Sequence, residues 1–598
     1  MSDGPAPKQP IAIFDGRCGF CRIWIDYCKA LTGDTVHYVA SQQVADQYPQ
    51  ISPEQFKRSF QFVEPGGEVR SGARAVYRLL TYTPHGGWPL QAYERVPGFA
   101  AASELAYRFI ASHRDIGYWT TVVLFGREIR PAQYRWVEWL FLRALALVYL
   151  VAFLSISVQI RGLLGSRGIL PATSFLSAVE RAFSPGTVWH DFPTLFWFWH
   201  TDTALVWACI AGTVFAVVFL SGFFERICLI ALYVLYLSIC VVGQDFLSFQ
   251  WDALLLETGF LAIFLVSSHL IVWMFRVLVF RLMFSSGAVK LLSGDPTWRN
   301  LRAMDFHYFT QPLPNPVAWY AQQLPPWFQK WSTGAVLGIE LIAPLLIFLP
   351  RRLRLIGAAL LIGLQGLILL TGNFAFFNFL SIALCLFLLD DAVFCRRKSP
   401  PAKMRATRRG VAVAVAALVL ILGTMNMAAT LGATLSGPFS DLARLAGPFE
   451  IVNTYGLFAV MTTERREITV QGSNDGVTWL DYEFKYKPGP LSRRPPFVAP
   501  HQPRLDWQMW FAALGDVRSS PWFVNFMVRL LEGSPDVVGL LEKNPFPNAP
   551  PRYVRALASQ YRFTNYEERR KTGNWWKAEP SGIYLRAISL ADVTRGPE

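Results

Sequence analysis

The chain has 598 residues, 53% of them hydrophobic, and a mean hydropathy of +0.29. That length exceeds what one hydrophobic core serves, and that apolarity excludes an ordinary soluble protein, so the sequence reads as an integral membrane protein. The net charge of +14 does not imply nucleic-acid binding: much of the excess lies in clusters flanking apolar runs, PRRLR (350–354) and CRRKSPPAKMRATRRG (395–410), where it is a topology signal.

The opening MSDGPAPKQP is polar and the first apolar stretch, IAIF, is short, so no cleavable signal is predicted and the N-terminus is expected in the cytoplasm. Residues 10–115 read as a small α/β unit. IAIF is a strand, CGFCRIWIDYCKALTG a helix, TVHYVA a second strand, FQFVEPGGEVRSG a hairpin with a Gly-Gly turn, and ARAVYRLL a helix. Residues 116–135 are expected to link this unit to the membrane.

Within it, FDGRCGFC places Cys18 where a strand becomes a helix. A helix N-terminus, with Arg17 and Arg22 nearby, favours a thiolate there, so Cys18 is the candidate attacking thiol and Cys21 the resolving one. Cys28 shares the face of Cys21, but seven helical residues separate their Cα atoms by roughly 10 Å, beyond disulfide reach, so it reads as a packing cysteine. Two other readings stay open: a metal held by Cys18, Cys21, Cys28 and His37, although this spacing fits no standard zinc module, or inert thiols.

Nine apolar runs follow, near 136–158, 203–222, 226–243, 252–268, 270–292, 332–349, 353–372, 374–394 and 410–431. Several are shorter than the roughly 20 residues of a spanning helix. With the N-terminus inside, nine spans put Arg226, PRRLR and the 395–410 cluster in the cytoplasm, and loops 159–202 and 293–331 and the tail outside, in accord with the positive-inside rule. The membrane domain is thus 136–431. Arg143, Glu257, Arg276, Arg281, Lys290 and Glu340 fall within or beside these runs, where facing lipid would be costly, so a polar network inside the bundle is expected. It could line a polar cavity or simply hold helices together through salt bridges.

The tail, 432–598, reads as a compact β-rich extracytoplasmic domain with packed helices. EITVQGSNDGVTWLDYEFKY alternates around an Asn-Asp-Gly turn as a hairpin does, and PWFVNFMVRLLEG and VVGLLEK look helical. It contains no cysteine, so packing alone must stabilise it. Trp507, Trp510, Trp575 and Trp576, with Arg504, are the candidate client-binding side chains, since aromatic and arginine residues dominate interface hot spots. The competing expectation is that most of the tail's tryptophans form its core. His501 has no evident nucleophile or metal partner and carries no catalytic role.

Three resemblances add to this reading. DGRCGFC resembles the DGxCxxC of DCC-type (DUF393) thiol-disulfide oxidoreductases, which implies a thioredoxin-like fold and redox function over residues 10–115; no proline immediately precedes FQFV, so the substrate-docking cis-proline of thioredoxins is not evident. SGDPTWRNLRAMDFHYFTQPLPNPVAWY, VNTYGLFAVMTTERREITVQGSNDGVTWLDYEFKYKPG, PRLDWQMWFAAL and NPFPNAPPRYVRA closely resemble the lipase maturation factor family, over roughly 130–590. That resemblance implies a multi-pass protein helping secreted lipases reach their active state, and establishes no catalytic residue. SSGAVKLLSGDPTW looks like a segment of vitamin K-dependent γ-carboxylases, by which analogy Lys290 would be a base; a lysine at a helix end is more often a snorkelling anchor.

The expectation is therefore a multi-domain membrane protein: a thioredoxin-like α/β domain, a polytopic helical bundle and a β-rich α+β tail, with no cofactor and no metal. Its first reading is a maturation factor for an exported lipase or similar client. The alternatives are a redox enzyme using Cys18 and Cys21, or a γ-carboxylase-like enzyme using Lys290. Expected partners are the client, membrane lipids and a cytoplasmic thiol reductant. The fused DCC-type domain and the lack of an endoplasmic reticulum retention tail point to a bacterial inner membrane.

Overall fold

The computed structural model describes residues 7–83, 86–265, 268–394, 406–434 and 436–595. Cys395 and the basic positions 396–405 lie outside the described residues. The chain forms two compact units, residues 1–133 with 348–356, and 134–347 with 357–598.

In the first unit, β1 (Ile11–Phe14) pairs in parallel with β2 (His37–Ala40) and antiparallel with β3 (Gln61–Val63), which pairs with β4 (Val69–Ser71). The order β2-β1-β3-β4 makes one mixed sheet. Successive residues of β1 serve opposite faces, as a two-residue period requires. Ala12 joins Val36, Phe62, Ala75 and Leu79, while Ile13 joins Tyr48, Ile51, Phe56 and Val63. The Gly-Gly turn joins β3 to β4, with Gly67 at φ +85°, a conformation that disfavours a side chain. Helices α1 (Gly19–Thr32), α2 (Gly72–Leu80), α3 (Phe99–Ser112) and α4 (Arg114–Leu124) are its longest, beside shorter ones such as Pro53–Arg58 and Trp88–Arg95. Much of the expected linker is thus the helix α4, which packs on α1: Trp24 Nε1 donates to Thr121 Oγ1 (3.3 Å), and Gly19 and Gly117 admit Tyr118 and Phe20.

The bundle, apart from residues 348–356, belongs to the second unit. All nine apolar runs contain helix: α5 (Arg135–Ser157), α6 (Asp202–Ser221), α7 (Glu225–Gly243), α8 (Gln250–Ile263), α9 (His269–Leu292), α10 (Pro326–Leu346), α11 (Arg351–Thr371), α12 (Phe377–Cys385) and α13 (Ala406–Thr430). Among the described residues, six are long and apolar enough to cross a membrane: α5, α6, α7, α9, α11 and α13. Helix α8, at about 1.5 Å per residue, is some 21 Å long, short of the hydrocarbon thickness of about 30 Å. The two expected loops are largely helical; 293–331, for instance, contains Pro296–Arg299, Met304–Thr310 and Pro316–Gln322.

The tail belongs to the same compact unit as the bundle. After α14 (Pro438–Ala446), residues 447–456 run among the helices. β5 (Arg465–Ser473) then pairs with β6 (Tyr553–Phe563), β6 with β7 (Trp576–Ile588), and β5 with the short strand Leu480–Asp481, all antiparallel. The expected hairpin turn is present. Asp475 accepts from the Val477 and Thr478 amides (2.8 and 2.7 Å), and these bonds hold its carboxyl well below the usual range. PWFVNFMVRLLEG forms α16 (Pro521–Leu531), following α15 (Arg504–Leu514). VVGLLEK differs from expectation: one helical turn, Pro535–Val538, gives way to the strand Leu541–Lys543, which pairs with Glu483–Phe484. Segment 293–331 packs on the sheet, burying Trp298, Trp319 and Phe309 with Tyr561, Phe563, Trp575 and Trp576.

Candidate functional site

Cys18 caps the N-terminus of α1, and its Sγ accepts from the Cys21 amide (3.2 Å). The turn that delivers it is tightly specified. A Cβ on Gly16 would lie 2.9 Å from Ala40 Cβ, so only glycine fits there. Asp15 accepts from the Arg17 amide (3.0 Å) and Gln42 Nε2 (2.9 Å) and pairs with Arg114 (3.2 Å). Burial, then the neighbouring Cys18, push the Cys21 thiol up to about 12, against a lowering by Arg114. Both cysteines are half-buried free thiols. The arrangement can do dithiol chemistry: a sulfur at a helix N-terminus with a donor aimed at it, and behind it a thiol that holds its proton.

Burial raises the Cys28 thiol to about 11, and the side chain packs beside the Ala12, Phe62 and Leu79 cluster. Among the described residues no three His, Cys, Asp or Glu side chains converge as metal ligands. Before β3, where thioredoxins carry their proline, the Phe60 amide donates to Tyr107 Oη (2.7 Å).

Among the described residues the charged side chains of the bundle make separate contacts, those of Glu257, Arg276, Arg281, Lys290 and Glu340 buried and that of Arg143 only partly so. Arg143 pairs with Glu225 and donates to the Leu220 carbonyl (2.8 Å) at the C-terminal end of α6, where the helix dipole favours a cation. Arg276 donates to the Phe387 carbonyl (2.9 Å) and Tyr134 Oη (2.7 Å). Arg281 pairs with Glu257 (2.6 Å), whose other oxygen accepts from the Asn453 amide (2.8 Å) and Tyr455 Oη (2.7 Å). Lys290 binds both oxygens of Glu340 (2.9 and 2.7 Å) and the Ser286 carbonyl (3.2 Å), and lies over the Trp298 ring. A cavity of about 50 Å³ adjoins this pair, bounded also by Trp251, Gln365, Phe374 and Phe458. That is room for a few waters.

The candidate client-binding side chains require correction, because four of the five are buried within the second unit. Arg504 makes a bidentate pair with Asp252 (2.8 and 2.9 Å) and donates to the Phe246 carbonyl (2.7 Å), both charged residues being 1% exposed. Trp507 packs on Trp251, ring centroids 4.7 Å apart, and half-buried Trp510 donates to the Thr310 carbonyl (2.8 Å). Trp575 lies under Arg569, and Trp576 under Arg465. A tryptophan held this way cannot present its ring to a client without unfolding its surroundings. Asp252 opens the apolar run near 252–268, and an acidic residue in such a run is a signal that could have found it. Arg465 gave none: it is fully buried, binding Glu467 (2.6 Å) and the carbonyls of Phe309 and Pro312 (both 2.9 Å).

Comparison with known proteins agrees with this division. The lipase maturation factor transmembrane domain matches residues 136–396, the lipase maturation factor C-terminal domain residues 451–586, and the DCC1-like thiol-disulfide oxidoreductase domain residues 12–117. The chain is 36% identical to lipase maturation factor 2 of Xenopus tropicalis, over 76% of this chain and 82% of that protein. It is 36% identical to lipase maturation factor 1 of Bos taurus, over 78% of this chain and 93% of that protein. Against lipase maturation factor 2 of Homo sapiens the identity is 35%, over 76% and 83%. No solved structure matches. With both characteristic domains in order behind a DCC1-like unit, the chain belongs to the lipase maturation factor family.

Proposed function

We propose that the protein matures an exported lipase or related client at a bacterial inner membrane, with its N-terminal unit and thiol pair in the cytoplasm and its tail outside. The observation that carries this reading is the family match through both bundle and tail, two regions that the Arg504–Asp252 pair fastens into one unit. The basic clusters beside the apolar runs support the orientation. Client contacts fall on tail side chains that remain exposed, such as Val477, Phe497 and Ile583, in place of the buried tryptophans.

The Cys pair serves a separate, cytoplasmic exchange. The Cys18 thiolate attacks one sulfur of a substrate disulfide and the other sulfur leaves as a thiolate. Cys21, losing its proton, then attacks Cys18 Sγ and releases the substrate dithiol, which leaves a Cys18–Cys21 disulfide for a cytoplasmic thiol reductant to reduce.

The test is co-expression of exported lipases with and without the full chain, reading secreted specific activity. A rise for a client lipase is expected, and no rise for any lipase of the host overturns the reading. Reporter fusions at both termini test the orientation; signals from the same side would refute it.

A further inference from the structure

We propose that residues 183–199 and α14 together form a collar seated in the lipid at the edge of the bundle, touching acyl chains and headgroups directly. The two segments come from opposite ends of the membrane domain, one preceding α6 and the other following α13. They meet where His190 Nε2 lies 3.0 Å from the Leu445 carbonyl and the His190 ring packs on Phe449.

Their depth is fixed by α7, whose 19 residues span about 28 Å, close to the hydrocarbon thickness. Thr194 Oγ1 donates to the Ser238 carbonyl and Ser238 Oγ accepts from the Leu195 amide, both at 3.0 Å. Ser238 is five residues from the end of α7, about 7.5 Å along its axis. Tyr233, which donates to the Phe449 carbonyl, is ten residues from that end, about 15 Å. Residues 194–195, and Phe449 just beyond the end of α14, therefore lie alongside the membrane-crossing part of α7.

At that depth they turn apolar side chains outward. Phe198 is 77% exposed, Trp189 52%, Trp199 51%, Phe439 56% and Leu445 57%, and α14 buries none of its residues. In α14, Phe439, Leu442 and Leu445 share one face while Asp441 and Arg444 pair on the other (2.9 Å), the division of a helix lying in an interface. The ring of Trp189 packs on Phe198, so the outward aromatics are also ordered among themselves. Lipid is the occupant because these rings continue the outward-facing surface of the spanning helices, where Ile230 of α7 and Ile421 of α13 are likewise exposed.

The test uses the full chain in phosphatidylcholine–phosphatidylglycerol vesicles, with an environment-sensitive fluorophore at Phe439→Cys, Phe198→Cys or Asp441→Cys, each measured against the parent chain treated identically. Acyl-chain doxyl lipids should quench positions 439 and 198 about twofold or more strongly than 441. Quenching of 439 and 198 by aqueous iodide but not by doxyl lipid would show a water-facing surface. Quenching by neither would show a protein or a second copy over the patch. Either result overturns the proposal, and the two labelled segments keep it testable if one variant fails to insert.

Discussion

Replacing Arg504 by alanine should loosen the tail from the bundle. Arg504 and Asp252 are each 1% exposed and exchange two hydrogen bonds, so removing the guanidinium leaves Asp252 with the Tyr236 hydroxyl alone among its side-chain partners. Breaking a buried pair by removing one member costs about 3–5 kcal/mol, which at about 1.4 kcal/mol per decade is a factor of roughly 10² to 4 × 10³ in the opening equilibrium. Limited proteolysis of the tail in nanodiscs reads that population directly when cleavage is slow relative to reclosing. The rate for Arg504→Ala should rise by that factor. The double variant Arg504→Met with Asp252→Leu should recover most of the loss, because an apolar replacement of a buried pair is near neutral. Wild-type cleavage of Arg504→Ala, or a double variant no better than the single, would refute the reasoning.

The Lys290–Glu340 pair should behave the same way. Lys290→Ala alone destabilises by about 3–5 kcal/mol, and Lys290→Met with Glu340→Leu restores both melting temperature and client maturation; a well-folded double variant without activity would instead give Lys290 a chemical role. Cys18→Ser with Cys21→Ser should leave lipase maturation intact and abolish reduction of a test disulfide by the full chain, and loss of maturation would tie the redox unit to the client. Acid should weaken the second unit. Burial, with Lys290 beside His307 and Arg504 and Lys485 beside His501, lowers both imidazoles from 6.5 to about 4. Their neutral forms cost the fold nothing above pH 6.5; below it the unfolded chain binds protons that the folded chain refuses, so stability falls until about pH 4. His501→Gln, keeping a partner for Ser155, should flatten the melting-temperature profile across that window, and an unchanged slope would sink the assignment.

The sequence was legible where local chemistry decides structure. IAIF followed by DGRC could hardly be other than a strand delivering a cysteine to a helix start, and the nine apolar runs all hold helix. Non-local partners were not legible. Four tail tryptophans suggested a recognition surface because a tail separated from the bundle would leave them facing water, but the bundle's Trp251 covers Trp507 and segment 293–331 covers Trp575 and Trp576. Arg504 meets Asp252 across 252 residues of chain, and no periodicity or spacing encodes such a meeting. The strand in VVGLLEK escaped notice for a related reason: Leu541–Lys543 is extended because Glu483–Phe484 is there to pair with it.

The insertion of residues 450–456 among the helices sets an order of biogenesis. Glu257 and Arg281 are synthesised early, yet their remaining hydrogen-bonding capacity is met by Asn453 and Tyr455, and Asp252 waits longer still for Arg504. Until those residues emerge from the ribosome, the half-built protein carries charged groups inside an incomplete bundle, where each is costly without its partner. A chain broken off before about residue 450 would leave Glu257 and Asp252 without those partners, so a factor that finishes other proteins depends on its own last quarter for completion.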